Sequence, residues 1–148
     1  MKIRITKHFD FEAAHALFGY DGKCKNIHGH SYQLYVTIIG TPINNINHPK
    51  NGMVLDFGDL KQIVKTEIID VFDHAIVLNK KTEHINLAKK IANYSHRTVL
   101  VDYQPTSEMM IQDFAERIKK KLPKEVSLHS IKLFETNNSY AEWFASDQ

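Results

Sequence analysis

The stretch Cys24-Lys25-Asn26-Ile27-His28-Gly29-His30-Ser31-Tyr32-Gln33-Leu34-Tyr35-Val36-Thr37-Ile38-Ile39-Gly40 changes character half-way along. From Tyr32 onward, Tyr32, Leu34, Val36 and Ile38 alternate with Gln33, Tyr35, Thr37 and Ile39, and the run is rich in β-branched and aromatic residues until Gly40. That period and composition predict a strand. Extended backbone carried back to His28 puts His28 and His30 two residues apart on one face, with Gly29 leaving room behind them. One strand then presents two imidazoles. A third, His15, closes the run Phe11-Glu12-Ala13-Ala14-His15 and can join them from a neighbouring strand or its bulged end.

Zinc favours imidazole nitrogen and thiolate sulfur in a tetrahedral shell, and catalytic zinc sites typically use about three protein ligands with one position open. His15, His28 and His30 meet that count. Cys24 leaves two alternatives: a fourth ligand that closes a structural site, or a reactive thiolate beside an open one. Histidines are also ordinary residues, and among the nine in this chain His8, His48, His84, His96 and His129 read as surface or core positions.

The rest of the sequence surrounds this cluster with an α+β pattern. Ile3, Ile5, Phe9 and Phe11 alternate with polar neighbours, so a strand runs from Ile3 to Phe11. Asn44 to Gly52 reads as a loop with an Asn51-Gly52 turn, and Met53-Val54-Leu55 as a short return to the sheet. Leu60, Ile63, Val64, Ile68 and Val71 then fall at helical intervals behind Asp56 and Asp59. A second helix has Ser107 as cap, Ile111, Phe114, Ala115, Ile118 and Leu122 on one face, and Pro123 past its end. Lys119-Lys120-Lys121 suits the C-terminal dipole of that helix better than a nucleic-acid patch. Two strands separated by Thr136-Asn137-Asn138 close the chain. Between the helices, 80–104 is weakly helical over Glu83–Ile91 and weakly extended over Thr98–Val101.

A chain of 148 residues fits one domain, 1–148, with a core large enough to need no staples. A formal charge of +2 argues against a nucleic-acid partner or a membrane surface, and no run approaches the roughly 20 apolar residues of a membrane span. A single cysteine excludes an internal disulfide, and the N-terminus lacks the apolar segment of an export signal, so a cytoplasmic location is expected.

Three further motifs complete the pattern: Phe72-Asp73-His74-Ala75-Ile76-Val77-Leu78-Asn79, Pro105-Thr106-Ser107-Glu108 and Leu133-Phe134-Glu135-Thr136. Singly each has an ordinary reading as a helix end, a helix start or a strand end. In this order, with Phe-Glu-Ala-Ala-His, Cys-x-x-x-His-Gly-His and Val54-Leu55-Asp56-Phe57, the chain resembles the 6-pyruvoyltetrahydropterin and 6-carboxytetrahydropterin synthase family. The resemblance covers Lys2 to Asn79 and Gln104 to the end, with 80–104 as an insertion.

The resemblance implies a tunnelling fold, in which a four-stranded antiparallel sheet carries two helices on one face and subunits assemble into a barrel. It implies a homohexamer, a dimer of trimers, with active sites between subunits. It makes His15, His28 and His30 ligands of Zn2+, Cys24 the catalytic base, His74 with Asp73 its partners in proton transfer, and Glu135 the pterin anchor. A carboxylate suits the last task because it accepts paired hydrogen bonds from the pterin amino group and ring N–H. Thr106 and Ser107 are placed near the pterin. The implied substrate is 7,8-dihydroneopterin triphosphate. The three-residue gap between Cys24 and His28 and the Phe-Glu-Ala-Ala-His motif resemble the bacterial branch that forms 6-carboxy-5,6,7,8-tetrahydropterin for queuosine and 7-deazapurine synthesis. The 6-pyruvoyl reaction is the alternative, and a noncatalytic zinc and pterin-binding module the non-enzymatic one.

Overall fold

Strands β1 (Ile3–His15) and β2 (His28–Gly40) form a long antiparallel pair that holds register from Ile3 opposite Gly40 to His15 opposite His28. The computed structural model describes residues 1–148. Strand β5 (Val126–Thr136) pairs with β2, and β6 (Ser139–Phe144) with β5, both antiparallel. These four are the antiparallel sheet the sequence predicts, and both leading strands run further toward the histidines than alternation alone marks.

The sheet has six strands rather than four, in the order β4-β3-β1-β2-β5-β6. Strand β3 (Ala75–Asn79) lies parallel to β1, and β4 (Thr98–Val101) parallel to β3. Parallel neighbours need a crossover, which α3 (His84–Asn93) supplies within 80–104. Ala75-Ile76-Val77-Leu78 is a continuous apolar run because both faces of β3 are covered: Val77 joins the main core, while Leu78 packs with Ala16 and Ala88 of α3.

Helix α1 (Phe57–Val64) starts at Asp56, whose carboxylate accepts the Gly58 N–H at 2.7 Å. It continues through a π turn over Lys65–Ile69 into α2 (Asp70–Phe72). Leu60, Val64, Ile68 and Phe72 are all fully buried. A four-residue spacing drifts about 40° per step on an α-helix, and the wider π turn offsets that drift, keeping the four on one line. Each such burial contributes about 1.5–3 kcal/mol. Met53-Val54-Leu55 is a bend, not a strand, although Val54 is buried against the core.

Helix α4 (Ser107–Lys119) buries Met110, Ile111, Phe114, Ala115 and Ile118. Its cap is Thr106, whose hydroxyl accepts the Met109 N–H at 3.4 Å, and Ser107 is the first helical residue, buried rather than capping. The core face of β2 (Tyr32, Leu34, Val36, Ile38) lies under these helices. His30 and His28 prolong the same row beyond the core, so the imidazoles collect at the end of the sheet beside the start of α4.

Candidate active site

The antiparallel register alone brings the three histidines together. His15 lies directly opposite His28, Ala13 opposite His30, and cross-strand partners on one face stand about 5 Å apart at Cβ. Between the two imidazoles of β2, a Cβ at Gly29 would stand 3.2 Å from the Ala13 carbonyl oxygen, so a larger residue crowds the β1 backbone at the site. One nitrogen from each of His15, His28 and His30 lies within 4.8 Å of the others. His15 is 2% exposed.

Hydrogen bonding fixes which nitrogens face inward. His15 Nδ1 donates to the Pro105 carbonyl at 2.6 Å and His28 Nδ1 to the Asn26 carbonyl at 2.8 Å, since a carbonyl oxygen can only accept. The Nε2 atoms of His15 and His28 then meet at 3.0 Å. Burial pushes the His15 imidazole below the ordinary histidine range, against the pull of the Pro105 carbonyl, and it pushes His30 down likewise, against Glu135. His30 Nε2 is buried with no hydrogen-bond partner. Imidazole nitrogens so arranged converge on one point, where a cation is favoured. Zinc–nitrogen bonds of about 2.0–2.1 Å in a tetrahedron set nitrogens about 3.3 Å apart, so the donor set fits zinc, and the backbone carbonyls behind two ligands are the outer shell such sites use.

Glu135 reaches the same spot from β5. It sits at a β-bulge between Phe134 and Thr136, and its Oε1 stands 3.5 Å from both His15 Nε2 and His30 Nε2. Tyr32, next along the face, is 1% exposed, and burial, reinforced by the Glu135 charge, pushes its hydroxyl far up, so it stays a protonated donor.

Cys24 is a free, half-buried thiol in a short 3-10 turn, Lys23–Lys25, and stands outside the three-histidine cluster. The Leu17 N–H donates to the Cys24 carbonyl at 3.0 Å, and Phe18 exchanges two hydrogen bonds with the Gln104 side chain. The loop carrying Cys24 is thus tied to the segment that carries Pro105 and Thr106.

Asp73 and His74 are anchored to Glu12 of β1. The His74 N–H donates to the Glu12 carbonyl at 2.6 Å, and Asp73 accepts the Glu12 N–H at 2.9 Å and the His74 Nδ1–H at 2.9 Å. Burial pushes the Asp73 carboxyl up, but the Glu12 amide and His74 together outweigh it and hold it below the usual range. His74 adopts φ 56°, a left-handed conformation uncommon outside glycine, and its side chain is 74% exposed. It lines a cavity of about 630 Å³ with Glu12, His30, Ser31, His96 and Arg97, so that cavity reaches the strand that carries the candidate ligands. Strand alternation puts Glu12 and Ser31 on the face away from the metal ligands, where Ser31 donates to Glu12 at 2.8 Å.

One chain thus brings together His15, His28, His30 and Glu135, with Thr106 and Ser107 starting the helix beside them, while Cys24 stands outside that cluster and Asp73–His74 is anchored to Glu12 of β1. Sequence reading missed Pro105, whose backbone carbonyl holds His15, and Gln104; neither carries a signal of its own, since the first acts through an atom every residue has.

A sequence profile of the family described as 6-pyruvoyl tetrahydropterin synthase matches residues 4–146. The chain is 38% identical over 141 residues to a 6-carboxy-5,6,7,8-tetrahydropterin synthase of Haemophilus influenzae, spanning 95% of this chain and 97% of that protein. It is 33% identical over 143 residues to a protein of the same name from Rickettsia typhi, spanning 95% and 99% of the two chains. Among solved structures, the Caenorhabditis elegans 6-pyruvoyl tetrahydropterin synthase shares the fold with a TM-score of 0.70 at 23% identity, covering 98% of this chain and 96% of that one.

Proposed function

The chain belongs to the 6-pyruvoyl tetrahydropterin synthase family, and on that premise we propose that it converts 7,8-dihydroneopterin triphosphate and one water to 6-carboxy-5,6,7,8-tetrahydropterin, acetaldehyde and triphosphate, in a zinc-dependent lyase reaction serving queuosine and 7-deazapurine synthesis. The observation that carries this reading is the convergence of three inward-facing imidazole nitrogens, two of them locked by backbone carbonyls, beside a carboxylate without a donor. The relatives at 38% and 33% identity bear the 6-carboxy name, which favours that branch.

His15, His28 and His30 hold the metal. When bound, zinc supplies Lewis-acid polarisation of the substrate's side-chain hydroxyl oxygens, which makes the neighbouring carbon-bound protons easier to remove. Glu135 accepts the pterin amino and ring N–H groups, and Thr106 and Ser107 border the ring. Cys24 takes and returns protons at Sγ. Asp73 accepts from His74 Nδ1, leaving Nε2 to exchange a proton.

The His74 ring is largely exposed, and a complete site forms when His74 of another copy meets Cys24. That arrangement supports the homohexamer with inter-subunit active sites. Residues 80–104 form an insertion within a single domain, supplying α3 and β4. No helix is long and apolar enough to cross a membrane, and the lone cysteine fits a reducing cytoplasm.

The test is to supply 7,8-dihydroneopterin triphosphate to zinc-loaded protein, identify the pterin by mass spectrometry and trap acetaldehyde. Carboxytetrahydropterin with acetaldehyde is expected. Pyruvoyltetrahydropterin without acetaldehyde would select the other branch, and pterin binding without turnover would select the noncatalytic module.

A further inference from the structure

Four buried side-chain polar atoms have no hydrogen-bond partner, and two of them, His30 Nε2 and the Tyr32 hydroxyl, sit two residues apart on the same face of β2. A buried hydroxyl without an acceptor is a standing cost, which native structures rarely carry without a use. The facing imidazoles account for His30. They leave Tyr32 unexplained.

The ring of Tyr32 is held firmly: it stacks on Phe11 with centroids 5.0 Å apart and stands edge-on to His30 at 5.5 Å. Its hydroxyl therefore cannot wander in search of a partner. Strand register brings the carboxylate of Glu135 alongside, because Gln33 pairs with Phe134 and Glu135 is the next residue of β5, on the face of Leu133. Glu135 accepts no protein hydrogen bond. Its Oε1 leans toward His15 and His30 at 3.5 Å, longer than an ordinary hydrogen bond. A donor without an acceptor and an acceptor without a donor thus sit on one face of neighbouring strands, at positions next to each other in register. The bulge between Phe134 and Thr136 takes Glu135 out of the β6 ladder.

We propose that Tyr32 is a positioning residue for Glu135: its hydroxyl donates to the carboxylate once Glu135 turns from the histidines to the pterin, fixing the orientation in which the remaining lone pairs meet the ring. The proposal rests on Glu135 as the pterin-binding carboxylate. It also explains why a tyrosine occupies a core position that phenylalanine would fill equally well.

The experiment is a fluorescence titration of zinc-loaded full-length protein with neopterin, for wild type, Tyr32→Phe, Glu135→Gln and the double variant, with zinc content and thermal midpoint measured on each. Tyr32→Phe removes only the hydroxyl, so fold and zinc content are retained and the midpoint does not fall. Neopterin affinity drops about tenfold, the worth of one hydrogen bond to a charged acceptor. In the Glu135→Gln background the same change has much less effect, because the two residues act as a pair. Wild-type affinity in Tyr32→Phe alongside lost affinity in Glu135→Gln would overturn the proposal and leave the reading of Glu135 intact. Wild-type affinity in Glu135→Gln would overturn that reading itself. Equal losses from Tyr32→Phe with and without Glu135, or loss of zinc or fold in Tyr32→Phe, would assign the hydroxyl elsewhere and overturn the proposal.

Discussion

His15 and His28 face each other across two antiparallel strands with their Nε2 atoms 3.0 Å apart, while the opposite nitrogen of each ring is held by a backbone carbonyl. Two lone pairs held at that distance need a cation between them. The three imidazole nitrogens are close enough to one another to hold a metal there.

Removing one donor breaks that centre. His28→Ala should fold, since the ring lies beyond the hydrophobic core, but it should lose zinc affinity by more than the roughly 10–100-fold that deleting an outer-shell partner costs. Competition with a chelator of known affinity checks this; wild-type affinity would place the metal elsewhere.

The same burial makes metal-free protein acid-sensitive. The folded pKa of His15 is depressed by desolvation below the ordinary 6.5. Between that value and the lower folded one the unfolded chain binds more protons, so stability is full above 6.5 and is lost as pH falls through the folded pKa. Denaturant midpoints of apo protein should therefore fall as pH is lowered below 6.5. Zinc, which competes with protons for the same nitrogens, should move the loss to lower pH. A flat apo profile would contradict the burial of His15 as the cause of its lowered pKa.

Asp73 works in the other acid range. Its carboxyl is held below the ordinary 3.8, so its contribution is present above that value and is lost as pH falls through the folded pKa. Asp73→Asn should show less acid destabilisation below about pH 4 than wild type. It should also retain zinc and lose turnover by about 10²-fold or more, the scale of acid–base assistance. Unchanged turnover would remove Asp73–His74 from the reaction.

Thr106 caps α4 beside the carbonyl that holds His15. Thr106→Ala should cost about 1 kcal/mol in urea unfolding, and Thr106→Ser should restore most of it. No loss in the alanine variant would deny the cap.

In the proposed inter-subunit site, Cys24 and His74 come from different copies of the chain. Mixed oligomers of inactive Cys24→Ala and inactive His74→Ala should regain activity after co-refolding, because some sites then draw each residue from an intact chain. Continued inactivity in verified mixed oligomers would place both residues in one subunit.

Much of this was legible in the sequence, for definite reasons. Alternation in Tyr32–Ile38 and the two-residue spacing of His28 and His30 depend only on strand geometry, so they carried over directly. The helical face Ile111–Ile118 did too. The parallel pair β3–β4 was harder to read: Ala75–Leu78, covered on both faces, does not alternate, and Thr98–Val101 is only four residues long. The cap shifted from Ser107 to Thr106 because both residue types suit the position and only backbone geometry decides between them. The bond from His15 to Pro105 spans 90 positions and ends on a main-chain oxygen, which leaves no mark in residue type.

The most direct test is to measure zinc content and turnover on the same preparation of Cys24→Ala. An open three-histidine centre with Cys24 as proton carrier predicts wild-type zinc content, an intact fold and lost turnover. Zinc lost together with the thiol, or turnover kept without it, would contradict the account.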